Sequence, residues 1–368
     1  VVYQAVLLKQ CSKYSKESSI MPIMKTSIYT LSRNRLLSLV KEAEQPAFRG
    51  KQLYEWLYVH YVDSFDEMSN LPKALRQKLE ADYSLIKPRV FHKAVSFDGT
   101  RKYVFQLEDG ALIESVGIPS GKNNERLTVC FSTQVGCAMQ CQFCATAKEG
   151  FTRNLSIGEI VSQILLVQED FQQRVSNIVG MGQGEPFANY DNVLEAIRIL
   201  NDPKGIAIGA RHITISTCGL FPGIERFSQE PEQFTLAISL HAAIQNKRDT
   251  LMPRVANMPL SGLKETLQHY TTVTNRRVTL EYLLIKGVND SEEDLKALTH
   301  FCTDLLCHVN LLPLNDIDDS PWKPSGQSVA NHWISTLMGK GIETSMRQSR
   351  GSDIDAACGQ LKNSLRKK

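Results

Sequence analysis

Apolar residues between positions 32 and 83 recur at helical spacing: Leu36, Leu37 and Val40, then Leu53, Trp56 and Leu57, then Leu75 and Leu79, with Pro46 and Pro72 interrupting the run. The pattern predicts a small helical unit over 31–88. From about Val90 the period shortens to strand-like alternation, and Asp98-Gly99 and Asp109-Gly110 are both signals for type I′ hairpins. A short antiparallel β region over 89–126 is therefore expected. Beyond Leu127, short apolar runs at 128–131, 177–179, 212–216, 235–239, 279–284 and 308–312 alternate with amphipathic stretches such as 157–168 and 190–200. Strands alternating with helices predict an α/β core over 127–346 with parallel strands, open or closed into a barrel. Such folds carry their chemistry at the strand C-termini. Cys137, Gly184-Glu185, Ser216, the 239–241 tripeptide and Asn315 all fall there, which points to one shared site.

Composition narrows the class. The 368 residues exceed one ordinary domain, and 42% hydrophobic with 22% charged residues is an ordinary globular balance. A net charge of +3 does not by itself argue for nucleic acid, so any RNA surface must be locally basic. Candidates are Arg153, Arg211, Arg254, Arg347, Arg350 and the basic end 362–368. Nine cysteines in so long a chain do not resemble a disulfide frame and suit reduced thiols in the cytoplasm. No apolar run reaches the roughly 18 residues of a membrane span. Residues 1–30 read as a disordered extension: the stretch to Lys25 is rich in Ser and Lys with Glu17 as its one acid, and Met21 and Met24 stand as alternative starts to a transit peptide.

The densest motif is Cys137-Ala-Met-Gln-Cys141-Gln-Phe-Cys144. Three thiols in one loop suit iron or zinc, and buried structural cysteines are the plain alternative. A closed zinc site needs four ligands, and no second close Cys or His pair follows at finger spacing. Three ligands leave one metal position open, the arrangement that separates catalytic from structural sites. The Gly180-Met-Gly182-Gln-Gly184 run fails the spacing of a dinucleotide-binding turn, and Pro186 would spoil the helix start, so it reads as close backbone approach to a ligand.

The C-x3-C-x2-C spacing with an aromatic before the last cysteine resembles the radical S-adenosylmethionine (SAM) superfamily, whose GGEP-like motif is matched by 182–186. Three further stretches, 136–150 with nearby Cys130, Ser239-Leu240-His241, and 351–361 around Cys358, resemble the RlmN/Cfr RNA methyltransferases. The resemblance implies a partial (β/α)6 barrel, a 4Fe-4S cluster on Cys137, Cys141 and Cys144, and SAM held by Gly184, Glu185, Ser216, Ser239, Leu240, His241 and Asn315. It implies methylation of an adenine at C2, on adenosine 2503 of 23S rRNA and adenosine 37 of tRNAs, with C8 methylation of the Cfr type as the alternative and a non-catalytic iron-sulfur RNA-binding protein as the rival from another class. By the same resemblance Cys358, in a mobile C-terminal catalytic loop over 347–368, takes a methyl group from one SAM. A radical made from a second SAM activates that methyl, and the carbon adds to the base. Cys130 is the family match for the thiol that resolves the adduct. Glu114 is the match for the base, a match carried by 114–119 because the segment 119–126 is longer than in the shorter bacterial pattern. Its strand alternation puts it on one face with Leu112, Val116 and Ile118, an unusual place for a carboxylate. Flavodoxin or ferredoxin is the implied electron donor, and a monomer is expected. Cys11, Cys218, Cys302 and Cys307 match no functional position and read as inert, the last two being five apart on a helix and poorly placed to share one ligand.

Overall fold

A computed structural model of the chain describes residues 25–315 and 320–361. The extension up to residue 24, with Cys11, and the basic tail 362–368 lie outside the described residues. Ser32 opens α1 (Arg33–Glu42) by accepting a hydrogen bond from the Arg35 amide. Then come α2 (Phe48–Glu55), which widens into a π-helical turn at Trp56–His60, and α3 (Lys73–Asp82), which starts directly after Pro72. Leu36, Val40, Leu53, Leu57, Leu75 and Leu79 are all buried, as their spacing predicts. The unit begins earlier than expected, because Thr26–Ser27 pairs in parallel with Tyr83–Ser84 and the next two residues, Ile28 and Tyr29, are buried in the core. Residues 26–30 thus belong to the helical unit rather than to a disordered extension. Aromatic Tyr29 gives the physical reason: it packs where Gly158, on the helix Ile157–Phe171, leaves room.

One ten-stranded sheet carries the rest: β1 (Arg89–Val95), β2 (Arg101–Gln106), β3 (Leu112–Ser120), β4 (Arg126–Cys130), β5 (Asn177–Gly180), β6 (Ile213–Thr217), β7 (Thr235–Ser239), β8 (Val278–Leu284), β9 (Cys307–Pro313) and β10 (Glu343–Met346). Spatial order follows chain order. The first four strands are antiparallel and every pairing from β4 to β10 is parallel. The hairpin region is therefore an extension of the parallel sheet, joined to it by β3 and β4, and β10 adds a parallel strand beyond the six expected of the barrel. The turns also differ from type I′, which needs positive φ at both central residues. Here Gly99 (φ +83°) and Gly110 (φ +81°) take it but Asp98 and Asp109 do not, so each loop is a three-residue turn with the glycine as bulge. Cys307 starts β9 instead of continuing the helix that ends at Cys302.

Helices cover the sheet as the amphipathic stretches predict, including α4 (Ile157–Phe171) and α5 (Tyr190–Asn201). A capping box starts α4: Ser156 Oγ accepts from the Glu159 amide, and Glu159 Oε2 accepts from the Ser156 amide at 2.8 Å. The apolar residues of helical unit, sheet and covering helices form one continuous buried cluster. Among the described residues no helix is long and apolar enough to cross a membrane.

Candidate active site

At the C-terminal ends of β4 to β9 the sheet opens into a cavity of about 290 Å³. Its wall includes Cys137, Cys141 and Cys144, brought there by a loop whose base is a short antiparallel ribbon, Gln134–Gly136 against Phe151–Asn154. The Cys137 amide donates to the Gly150 carbonyl at 2.8 Å. Gly136 has φ +73°, and a Cβ there would lie 1.9 Å from the Gly150 oxygen, so only glycine closes the ribbon. Burial pushes the Cys137 thiol up to about 12 and the Cys144 thiol up to about 11. Both stay protonated until a cation displaces the protons, the usual coupling of thiolate ligation to proton release. Among the described residues no three His, Cys, Asp or Glu side chains gather on one point as for a single ion. A spread set of soft thiols fits a polynuclear iron-sulfur cluster, in which each sulfur meets its own iron.

Gly184 and Glu185 line the cavity at the end of β5. The close approach expected of this glycine run is real but is made to the chain itself: at φ +105°, a Cβ on Gly184 would sit 2.6 Å from Gln134 Cβ. Buried Glu185 accepts from the Phe187 amide (3.0 Å) and the Cys218 amide (2.7 Å). Burial pushes its carboxyl above the usual range, and these bonds pull it back. Ser216 and Ser239, at the ends of β6 and β7, bring their hydroxyls within 3.5 Å of each other. His241 takes a left-handed backbone (φ +55°) and its Nδ1 accepts from the Leu283 amide at 3.1 Å. Burial, helped by Arg248, lowers its pKa to about 3, so the ring is neutral with its proton on Nε2. Phe143 meets that ring edge-on at 4.5 Å between centroids. Leu240 is fully buried outside the lining, and Asn315, though on the wall, spends its amide on the Cys358 carbonyl (3.1 Å) and the Ser349 hydroxyl (2.7 Å).

Cys130 and Cys358 face the same cavity. The C-terminal segment is pinned just after Cys358: Gly359 O accepts from the Ala145 amide (2.7 Å) and Leu361 O from the Thr146 hydroxyl (2.6 Å), both in the cysteine loop. Ala356 and Leu361 pack with Cys130 and Val116. Burial, then the nearby Cys358 thiol, pushes Cys130 up to about 12, while Arg347 pulls it down. The Cys358 side chain is open to the cavity; the surrounding protein raises its pKa and Arg347 again opposes. Glu281, whose Oε2 accepts from Asn310 at 2.8 Å, completes a charged patch with Arg347.

Glu114 is 1% exposed but is not part of the lining; Lys102 Nζ lies 3.1 Å from its Oε1. Of the arginines considered for RNA, Arg153 is paired with Asp109 and Glu159, Arg211 donates to Gln233, Arg350 approaches Asp98 and Arg254 is exposed. Arg347 turns inward. Sequence reasoning missed Glu281, Lys102 and Cys218, whose sulfur lies 3.9 Å from Cys141 Sγ. The one available signal was alternation, which puts Lys102 on one face with Val104 in a strand that is buried on both sides.

Comparison with known proteins agrees with this picture. Residues 26–85 match a family model described as the ribosomal RNA large subunit methyltransferase N-terminal domain, and residues 131–299 match that of the radical SAM superfamily. The chain is 42% identical to a Clostridium novyi protein described as "Probable dual-specificity RNA methyltransferase RlmN", over 91% of this chain and 97% of that one. It is 45% identical to a Staphylococcus aureus protein of the same description, over 92% and 93%. The crystal structure of a radical SAM methyltransferase from Sphaerobacter thermophilus superposes with a TM-score of 0.85 at 40% identity, covering 92% of this chain and 99% of that one.

Proposed function

Since the chain belongs to the RlmN family of radical SAM RNA methyltransferases, which use a 4Fe-4S cluster and SAM, we propose that it methylates C2 of adenine in RNA: adenosine 2503 of 23S rRNA and adenosine 37 of tRNAs. Cys137, Cys141 and Cys144 hold the cluster. The 180–185 turn, Ser216, Ser239, His241 and Asn315 form the SAM subsite, with neutral His241 as a donor through Nε2. SAM and the cluster together supply the methyl group and the radical that activates it. C2 of adenine lies between two ring nitrogens and is too electron-poor to attack a sulfonium directly, which is why activation is needed.

The chain's own residues do the rest. Cys358 carries the methyl group on sulfur; once the SAM-derived radical has taken one of its hydrogen atoms, the carbon bonds to C2, and the single electron left over on the ring would return to the cluster. Glu114 accepts the ring proton. The Cys130 thiolate then attacks the Cys358 sulfur; the carbon–sulfur bond breaks, its electron pair stays with the base, the freed carbon takes a proton to become methyl, and a Cys130–Cys358 disulfide remains. Two external electrons, from a donor such as flavodoxin or ferredoxin, restore both thiols. The observation that carries this reading is that Cys130 and Cys358, far apart in sequence, share one cavity with the three-cysteine loop.

Mass spectrometry of nucleosides from rRNA and tRNA, incubated with the reconstituted enzyme and SAM, is expected to show 2-methyladenosine. 8-Methyladenosine would instead assign the Cfr-type chemistry, and an unmodified RNA pool would reject base methylation at these sites.

A further inference from the structure

Lys102 belongs to neither the cluster nor the SAM subsite, yet it is 7% exposed, an unusual position for an ammonium group. Its place follows from the sheet register. Ala94, Lys102, Val116, Cys130 and Val179 form one continuous cross-strand row from β1 to β5. Residues in such a row share a face, so Lys102 and Cys130 lie on the same side of the sheet, two strands apart. Glu114 is paired with Val104, which puts it diagonal to Lys102 on that face. The Lys102 ammonium lies 3.1 Å from Glu114 Oε1 and donates to the Asp355 carbonyl at 3.1 Å. Asp355 is three residues before Cys358. The hairpin between β1 and β2 holds the same segment at two more points: Ser96 Oγ donates to Asp353 Oδ1 (2.6 Å), and Asp98 Oδ2 accepts from the Gly351 amide (3.2 Å).

A lysine that served only to neutralise Glu114 would need no bond to the carrier segment. The geometry points to Lys102 as a positioning residue that links the base Glu114 to the segment bearing Cys358, so that proton removal and thiol exchange occur on one correctly seated adduct. This rests on the roles given above to Glu114 and Cys358.

The holoenzyme with Lys102→Met, similar in length but without charge, tests it by two independent measurements. Hydrogen exchange of the 351–358 amides, which needs no turnover, is expected to speed up at least about tenfold, the response of a segment that has lost an anchor. In single-turnover reactions with RNA, Cys358 methylation is expected to stay at the wild-type level while release of methylated RNA slows about tenfold or more, with a covalent protein–RNA species visible on denaturing gels. Lys102→Arg, which keeps charge and donor, should restore both. If Lys102→Met does not fold, the Lys102→Met/Glu114→Gln pair removes both buried charges and gives the same exchange readout. Wild-type protection of 351–358 together with wild-type release would overturn the assignment. Failure of the wild-type enzyme to methylate Cys358 would overturn the parent reading, and the exchange result would still decide whether Lys102 anchors the segment.

Discussion

Six thiols line the cavity, and their surroundings divide them into groups that the residue type alone does not. Cys137, Cys141 and Cys144 come from one loop and can be gathered by one cluster, whereas Cys218 reaches Cys141 only because β6 ends beside that loop. Its amide also serves Glu185, a contact that survives any side-chain change. Anaerobically reconstituted Cys141→Ala protein is therefore expected to lose most of its roughly four irons, while Cys218→Ala keeps them; equal loss in both, by iron and sulfide analysis, would make Cys218 a ligand. The spacing of the first three was legible because loop ligands are local in sequence. The Cys141–Cys218 approach was not, since it is set by the order of strands. The left-handed backbone and neutral ring of buried His241 were likewise not legible, since both follow from its place beside β8.

At the scale of elements, the ribbon Gln134–Gly136 and Phe151–Asn154 decides whether the cysteine loop closes. Gly136→Ala places a methyl group against a backbone carbonyl and forces a left-handed conformation on a side chain. The conformational strain alone costs on the order of 1–3 kcal/mol, and the clash adds to it. Lower iron occupancy and a lower melting temperature are expected, with the fold of β5 to β9 retained; a variant that binds iron normally would show that the ribbon can relax. Alternation and helical periodicity located the helical unit, the six core strands and the helices over 157–168 and 190–200, because each depends on which face of a short segment is apolar. What they could not show is pairing. Nothing local in 126–130 states that its neighbour on one side, β3, is antiparallel and on the other, β5, parallel. The sequence Glu343–Met346 alternates too briefly and too politely between polar residues to announce an edge strand. The I′ turns were misjudged for a related reason: Asp-Gly is also the end of a three-residue loop, and only the φ of the aspartate distinguishes the two.

At the scale of the whole molecule, the antiparallel strands and the C-terminal segment meet over β4, where Ala356 and Leu361 pack with Val116 and Cys130 across more than two hundred positions of sequence. If Cys358 carries the methyl group, Cys358→Ala should bind the cluster and SAM yet form no protein–RNA adduct. Cys130→Ala should form the adduct and fail to release it, because no thiolate attacks the Cys358 sulfur. A Cys130→Ala enzyme that turns over without adduct would remove Cys130 from the mechanism. The same thiol gives the reaction a pH dependence of defined sign. Burial beside Cys358 pushes Cys130 up to about 12, so at pH 7 to 9 its thiolate is a small fraction that grows about tenfold per unit. Adduct trapped in the wild-type enzyme at low pH should accordingly decay faster as pH rises across that range, by up to about tenfold per unit. Arg347, the cation that opposes this rise at both sulfurs, should matter most at the lower end. Decay that does not change with pH would mean that a step before thiol attack, such as removal of the ring proton, limits release.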